Sequence, residues 1–250
     1  AVLTSVDLSS AEYLDKYAFV YNKLLTSVTF NENGVELGEG VFAYDNLLST
    51  LVNDKAITVV GDYAFTYTAV VSVDLSGATH IGDHAFMKET MTDFTVILGD
   101  ALVSVGENPF AYCKLPAFTG TESETFNGTE IVKDTDTFAI SDTVRVIDGM
   151  LYRVVPNGLE LIAYTGDSIV VRVADGTVRV SPLAFAGTDV LQVVMPSTLK
   201  SIGHKAFYDC SKLAMVSFTG YYAPTLEEEY DYSYSVSGLN IPATGEFQYQ

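Results

Sequence analysis

The sequence contains no tryptophan, two cysteines, three histidines and only thirteen basic residues among 250. Each scarcity excludes something. Thirteen bases face thirty-two acids, the net charge is −19, and no basic run occurs. A chain this acidic repels phosphate backbones, which argues against nucleic acid as a partner. Anionic membrane surfaces are disfavoured for the same reason. No apolar run approaches the roughly 20 residues of a membrane span, so no membrane insertion of this chain is expected. No signal peptide is visible at residue 1; whether a leader, an anchor or further repeats precede it is left open. The signatures G-x-S-x-G, H-E-x-x-H and C-x-x-C are missing. The chain therefore reads as not an enzyme, with no catalytic residues, no cofactor and no metal.

What the sequence does have is a repeat. "LDKYAF" (14–19), "LGEGVF" (37–42), "VGDYAF" (60–65), "IGDHAF" (81–86), "VGENPF" (105–110), "VSPLAF" (180–185) and "IGHKAF" (202–207) share one frame. Their phenylalanines, Phe19, Phe42, Phe65, Phe86, Phe110, Phe185 and Phe207, are spaced by 23, 23, 21, 24, 75 and 22 residues. The gap of 75 has room for degenerate turns. After each phenylalanine comes a short alternating run, such as Leu25, Val28 and Phe30, or Val70, Val73 and Leu75. In the Phe86 turn the same frame selects Met91, Phe94 and Val96. Such alternation predicts a strand with one buried face.

One turn of this length does not bury its own apolar side, so the turns must stack. Stacking predicts phenylalanine upon phenylalanine at roughly the 4.7–4.9 Å strand spacing. The glycine after each Ile, Val or Leu reads as a tight bend. Asp15 and Ser181 replace it, so those bends are expected to differ. Pro109 argues against an intact ladder hydrogen bond at its position.

The pattern I-G-x-x-A-F-x-x-C/T-x-x-L followed by a strand resembles the BspA-like leucine-rich repeat family. The best copy is "IGHKAFYDCSKLAMVSF" (202–218). The resemblance implies an α/β repeat solenoid, a leucine-rich-repeat-like right-handed superhelix. It would carry short parallel strands, bends and short helical turns. It also implies an extracellular or cell-surface protein that binds a protein or glycan partner on a host or neighbouring cell. It implies no shared catalytic residues. The alternative is a passive structural spacer that displays another domain.

One solenoid is expected over residues 1–220, with repeats at 1–118 and 180–220. Residues 119–179 interrupt it with an irregular polar segment and a hairpin. "VRVIDGMLYRVV" and "LELIAY" flank Pro156-Asn157-Gly158, a strong hairpin signal. Whether this segment is a spur or a set of decayed turns stays open. Residues 221–250 are tyrosine-rich and read as a terminal cap with a strand near Leu239–Ile241, or as a sticky tail.

Several tempting sites read as structural. His80 and His84 stand four apart, but in a strand and a bend rather than on one helical face. Cys113 and Cys210 lie three residues after a phenylalanine, where Asn22, Asp45, Thr68, Glu89 and Thr188 also fall. This resembles the inward polar position of leucine-rich repeats, where a small side chain satisfies bend amides. The cysteines are about four turns, roughly 20 Å, apart, beyond the reach of a disulfide. Asp134 and Asp136 have D-x-D spacing but lack the rest of a calcium loop. "NGT" at 127–129 fits a glycosylation acceptor, and Glu227, Glu228, Glu229 and Asp231 form an acidic run. The outward strand residues, Ser27, Thr29, Ser72 and Asp74 among them, are small and polar, which suits a tight interface poorly. One stripe stands out. Tyr21, Tyr44, Tyr67 and Tyr112, interrupted by Lys88, each lie two residues after a phenylalanine. Stacking aligns them along one edge, as a possible contact strip for a partner or as a shield for the core edge.

Overall fold

The structure is a computed structural model. It describes residues 3–90, 92–115, 120–126, 129–135, 138–164, 166, 168–227 and 246–249. The chain divides into two compact units, residues 1–115 and 116–250.

Unit 1 is a parallel β-solenoid. The alternating runs form Ser5–Leu8, Ser27–Phe30 and Thr50–Val52, paired in parallel with Val6 beside Val28 and Leu8 beside Phe30. Thr95–Leu98 pairs the same way with Ser72–Leu75. A second ladder joins Tyr13–Leu14, Val35–Leu37, Ile57–Val60, His80–Ile81 and Ser104–Val105. Inside, the rings of Phe19, Phe42, Phe65, Phe86 and Phe110 stack at 5.4, 5.5, 5.1 and 5.7 Å.

Among the described residues there is no α-helix, and a single 3-10 turn, Asp54–Ala56, is the only helical element. The α/β class and the short helical turns are thereby corrected to an all-β solenoid. The reason lies in the bend around each phenylalanine, which bonds outward to the next turn instead of along itself. The amides of Tyr17, Phe19 and Tyr21 donate to the carbonyls of Glu39, Val41 and Ala43. The same three-bond pattern links Gly40, Phe42 and Tyr44 to the Phe65 turn, and continues through Phe86 to Phe110. With those amides committed between turns, no helical hydrogen-bond run is left to form.

This pattern also corrects the reading of Pro109. Its carbonyl accepts the Phe86 amide at 2.7 Å, so the ladder is intact there. At the equivalent position the amide of Ala64 bonds only within its own bend, to Gly61. Proline therefore removes a local bond and leaves the ladder untouched.

The glycines act through close approach rather than through a tight bend. Gly38, Gly61, Gly82 and Gly106 lack positive φ, but a Cβ on each would meet backbone of the preceding turn at 2.4–2.7 Å. Among the described residues no turn lies before that of Asp15.

Two features of the Phe86 turn differ from the sequence frame. Val96 pairs with Val73 and Leu98 with Leu75, a shift of two residues from the expected pairing of Phe94 and Val96. Phe94 instead packs on Phe86 and Phe110, at 5.5 and 6.0 Å. Thr92–Asp93, which precedes it, pairs with Cys113–Lys114. Met91 lies outside the described residues.

Unit 2 holds parallel repeat strands of the same kind. Val170–Arg172, Gln192–Met195, Met215–Phe218 and Glu246–Tyr249 form one parallel sheet. Gly120–Phe126 and Thr129–Thr135 form a separate antiparallel pair, where an irregular segment was expected, and a third sheet runs from Phe138–Ala139 through Val144–Ile147, Met150–Val155, Gly158–Tyr164, Thr177–Val180 and Ser201–Ile202 to Thr225–Leu226. Its first half is antiparallel and its second half parallel. Gly158–Tyr164 belongs to both halves. It closes the expected hairpin with Met150–Val155, and it takes the place of a repeat strand beside Thr177–Val180. Tyr164 fills the phenylalanine position, its ring 5.5 Å from Phe185 and its amide bonded to the Ala184 carbonyl. A second tight loop, Asp148-Gly149 with φ of 50° and 72°, splits the run read as one strand. The "NGT" triplet at 127–129, the Asp134/Asp136 pair, the acidic run beyond Glu227 and the strand expected near Leu239–Ile241 lie outside the residues described with side chains.

Candidate binding surface

Each bend of unit 1 holds a left-handed residue two places before the phenylalanine, and each but that of Phe86 holds another two places after. The first set is Tyr17, Gly40, Tyr63, His84 and Asn108, with φ of 49–57°. The second is Tyr21, Tyr44, Tyr67 and Tyr112, with φ of 56–65°. Glycine and asparagine fill such positions with little strain, whereas another L-residue costs about 1–2 kcal/mol. Six tyrosines in unit 1 nevertheless take this conformation.

Three of the four stripe residues come together. The Tyr21 and Tyr44 rings stack at 4.6 Å with an 11° interplanar angle, and Tyr44 meets Tyr67 edge-on at 5.2 Å. Tyr21 is 58% exposed and Tyr44 37%. Burial and the neighbouring Tyr44 and Glu89 raise the Tyr67 phenol above its ordinary range. Tyr112 keeps the left-handed backbone but stands beyond Lys88, half-buried.

Lys88 has left the stripe. It is 4% exposed, and its Nζ donates to the Thr68 and Val70 carbonyls at 3.0 and 2.6 Å, 5.3 Å from the Phe94 ring centroid. Burial lowers its ammonium to about 8. The inward position assigned to Glu89 thus belongs to Lys88, while Glu89 is exposed. The Lys88 amide keeps the stripe register, bonding to the Ala111 carbonyl as that of Tyr67 does to Met87, but Lys88 lacks the left-handed φ of the tyrosines.

At the other inward positions the side chain serves a carbonyl rather than bend amides. Thr68 and Thr188 donate to the Phe65 and Phe185 carbonyls at 2.9 and 2.7 Å, and Asn22 donates to that of Phe19. Cys113 and Cys210 do so to the phenylalanine of the preceding turn, at 3.3 and 2.9 Å. Both thiols are free and buried, and burial pushes Cys113 up to about 12. Asp45 is the exception. Its Oδ1 accepts the Asn22 amide at 2.6 Å, Oδ2 is buried without a partner, and burial pushes the carboxyl up to about 7.

The sequence reading passed over the first left-handed row. The Tyr17 hydroxyl donates to Glu39, which also pairs with Lys16 at 3.0 Å. The Tyr17 ring lies over Gly40, where a Cβ would come within 2.4 Å of it. Tyr63 follows, its ring 5.1 Å from His84. His80 is on a strand, its Nδ1 2.8 Å from the Thr79 hydroxyl. Leu24 and Leu47, three places after Tyr21 and Tyr44, are exposed as well. The signal for all of these was the same fixed offset from phenylalanine, applied at other places in the bend.

A model of the BspA type leucine rich repeat region matches this sequence in six copies, over residues 2–116 and 177–246. No match was found among curated proteins. A leucine-rich repeat protein from Eubacterium ventriosum aligns over 87% of this chain and 60% of its own length, with 15% identity and a TM-score of 0.58. A leucine rich cell surface protein from Faecalibacterium prausnitzii aligns over 86% and 73%, with 18% identity and a TM-score of 0.49. The likeness to the Eubacterium protein shows the fold alone.

Proposed function

Since the chain belongs to the BspA-type leucine-rich repeat family, we propose that it is a noncatalytic binding module of the bacterial cell surface or exterior, acting in adhesion. The contact surface is the tyrosine stripe of Tyr21, Tyr44 and Tyr67, with Tyr112 further along it. One observation carries this reading: large amphipathic rings, exposed at Tyr21 and Tyr44 and half-buried at Tyr67 and Tyr112, stand on backbone that glycine or asparagine would occupy with little strain. Tyrosine is also among the residue types that dominate protein hot spots.

The rival role is a passive spacer. Its support is the outward strand strip, where Ser5, Asp7, Thr50 and Ser72 are all exposed. Binding of the intact protein to panels of matrix proteins and surface glycans separates the two. The double variant Tyr44→Asn/Tyr67→Asn removes the rings while suiting left-handed backbone. We expect saturable binding by the parent, lost in the variant at unchanged melting temperature. Absence of saturable binding across both panels favours the spacer.

A further inference from the structure

We infer that the aromatic rows of unit 1 receive an extended, basic, proline-rich polypeptide in the polyproline II conformation, lying along the stacking direction. The inference rests on the binding role proposed above and names the partner's chemistry.

Spacing comes first. Two turns of a parallel stack advance about 9.6 Å. Three residues of polyproline II, one full turn, advance about 9.3 Å. Prolines at i and i+3 therefore face equivalent points two turns apart, such as Tyr21 and Tyr67. Successive tyrosine rings at 4.6 and 5.2 Å keep that step.

Ring orientation narrows the ligand. Tyr21 and Tyr44 cover each other's facing sides and so present edges and hydroxyls, and Tyr67 is turned 62° from Tyr44, so the three rings make no common flat face. A sugar platform requires open ring faces. A polyproline II segment has no internal hydrogen bonds, and its carbonyls seek donors. Among the described residues, the hydroxyls of Tyr21, Tyr44 and Tyr67 bond to none. Aromatic-lined surfaces are a recurrent way to hold such segments. Between the two rows the side chains are short and buried, Ala43 and Thr66 being examples.

Charge adds the third constraint. The residue before each member of the first left-handed row is acidic over four turns: Glu39, Asp62, Asp83 and Glu107. Asp62 and Asp83 also hold the stack, accepting the Asp83 and Glu107 amides at 2.8 and 2.7 Å. This acidic rail beside the rings, on a chain of net charge −19, complements lysine or arginine between the prolines.

The test titrates the full chain with a labelled peptide of repeated Pro-Pro-Lys triplets. Controls are a Gly-Gly-Lys peptide of equal length and charge, and soluble β-glucan and xylan oligosaccharides. We expect saturable binding of the proline peptide, weakened roughly tenfold or more in the Tyr44→Asn/Tyr67→Asn variant. Asp62→Asn keeps the amide acceptor and removes a charge, and should weaken binding and its salt dependence. The glycine peptide should bind roughly tenfold more weakly, having no preformed helix. Equal binding of both peptides, no binding of either, or oligosaccharide binding that depends on the tyrosines overturns the inference. If the panels show tyrosine-dependent binding while the proline peptide fails, only the partner chemistry falls; if nothing binds, the binding role falls with it.

Discussion

At the scale of single residues, Asp45 shows how one position of the repeat carries a chemical requirement. Asn22, Thr68 and Thr188 each donate a hydrogen bond to a phenylalanine carbonyl. An ionised carboxylate has no donor, and a protonated one does. This agrees with the upward shift of Asp45 to about 7 by burial. The folded chain then holds this proton well above pH 3.8, where the unfolded chain releases it. The stability associated with the protonated form is fully present below pH 3.8. It is lost progressively as pH rises to about 7, and the loss is constant above that. Asp45→Asn supplies the donor at every pH. We expect it to stabilise unit 1 by about 1–3 kcal/mol at pH 8, with a smaller gain at pH 5, read from thermal melts. An equal gain at both pH values would show that Asp45 is not held protonated. The inward position was legible from its spacing, because the frame repeats. What it bonds was not, because carbonyl and amide partners leave the same trace of small polar residues. The exchange of Glu89 for Lys88 was hidden for another reason: the register of the turn is kept, and only the backbone conformation at Lys88 departs from that of the stripe tyrosines.

Among elements, contacts between turns decide what each residue tolerates. Glycine and proline are read from a sequence as local signals, yet here both report on the neighbouring turn. A Cβ at Gly61 would stand 2.6 Å from Gly38 backbone. Gly61→Ala should therefore cost about 1–3 kcal/mol through overpacking, while Asp15→Ala, at an exposed position that already carries a Cβ, should change stability by less than about 0.5 kcal/mol. Denaturant midpoints compare the two, and equal costs would return glycine to a bend-forming role. In unit 2 the join between hairpin and repeats is a charge ladder. Glu160 is buried and accepts from Arg153, Arg179 and Ser181, and Arg179 reaches on to Glu227 at 2.6 Å. Burial acts to raise the Glu160 carboxyl, but the hydrogen bonds and the two guanidinium charges outweigh it and hold it below its ordinary value. Its stabilisation is present above the unfolded value of 4.5 and is lost as pH falls through the lower folded value. Glu160→Gln should cost about 1–3 kcal/mol at pH 7, less than a fully buried pair, because both guanidiniums are about a quarter exposed. The difference between parent and variant in melting should shrink toward pH 3; a constant difference would assign Glu160 a packing role alone. The hairpin itself was legible in Pro156-Asn157-Gly158. Its dual membership was not, since only three-dimensional pairing reveals that Tyr164 stands where a phenylalanine belongs.

For the molecule as a whole, a repeat array makes stability a sum over adjacent turns. The array was legible in the sequence alone, because a spacing near 23 residues and a shared apolar frame recur too often for another explanation. Its helix content was not, because bends that bond to neighbouring turns and bends that form short helices share the same residue types. Position within the array should then set the cost of a core substitution. Phe65 is fully buried and stacked on both sides, at 5.5 Å from Phe42 and 5.1 Å from Phe86. Phe19 opens the row of rings, is half-buried, and has its stacked partner, Phe42, on one side at 5.4 Å. Phe65→Ala should cost about 3–5 kcal/mol, the range for an aromatic removed from a closed core. Phe19→Ala should cost about half of that or less, since one interface is weakened rather than two. Chemical denaturation of the two variants measures the difference. Equal losses would mean that the turns of unit 1 are held by something other than contact with their immediate neighbours.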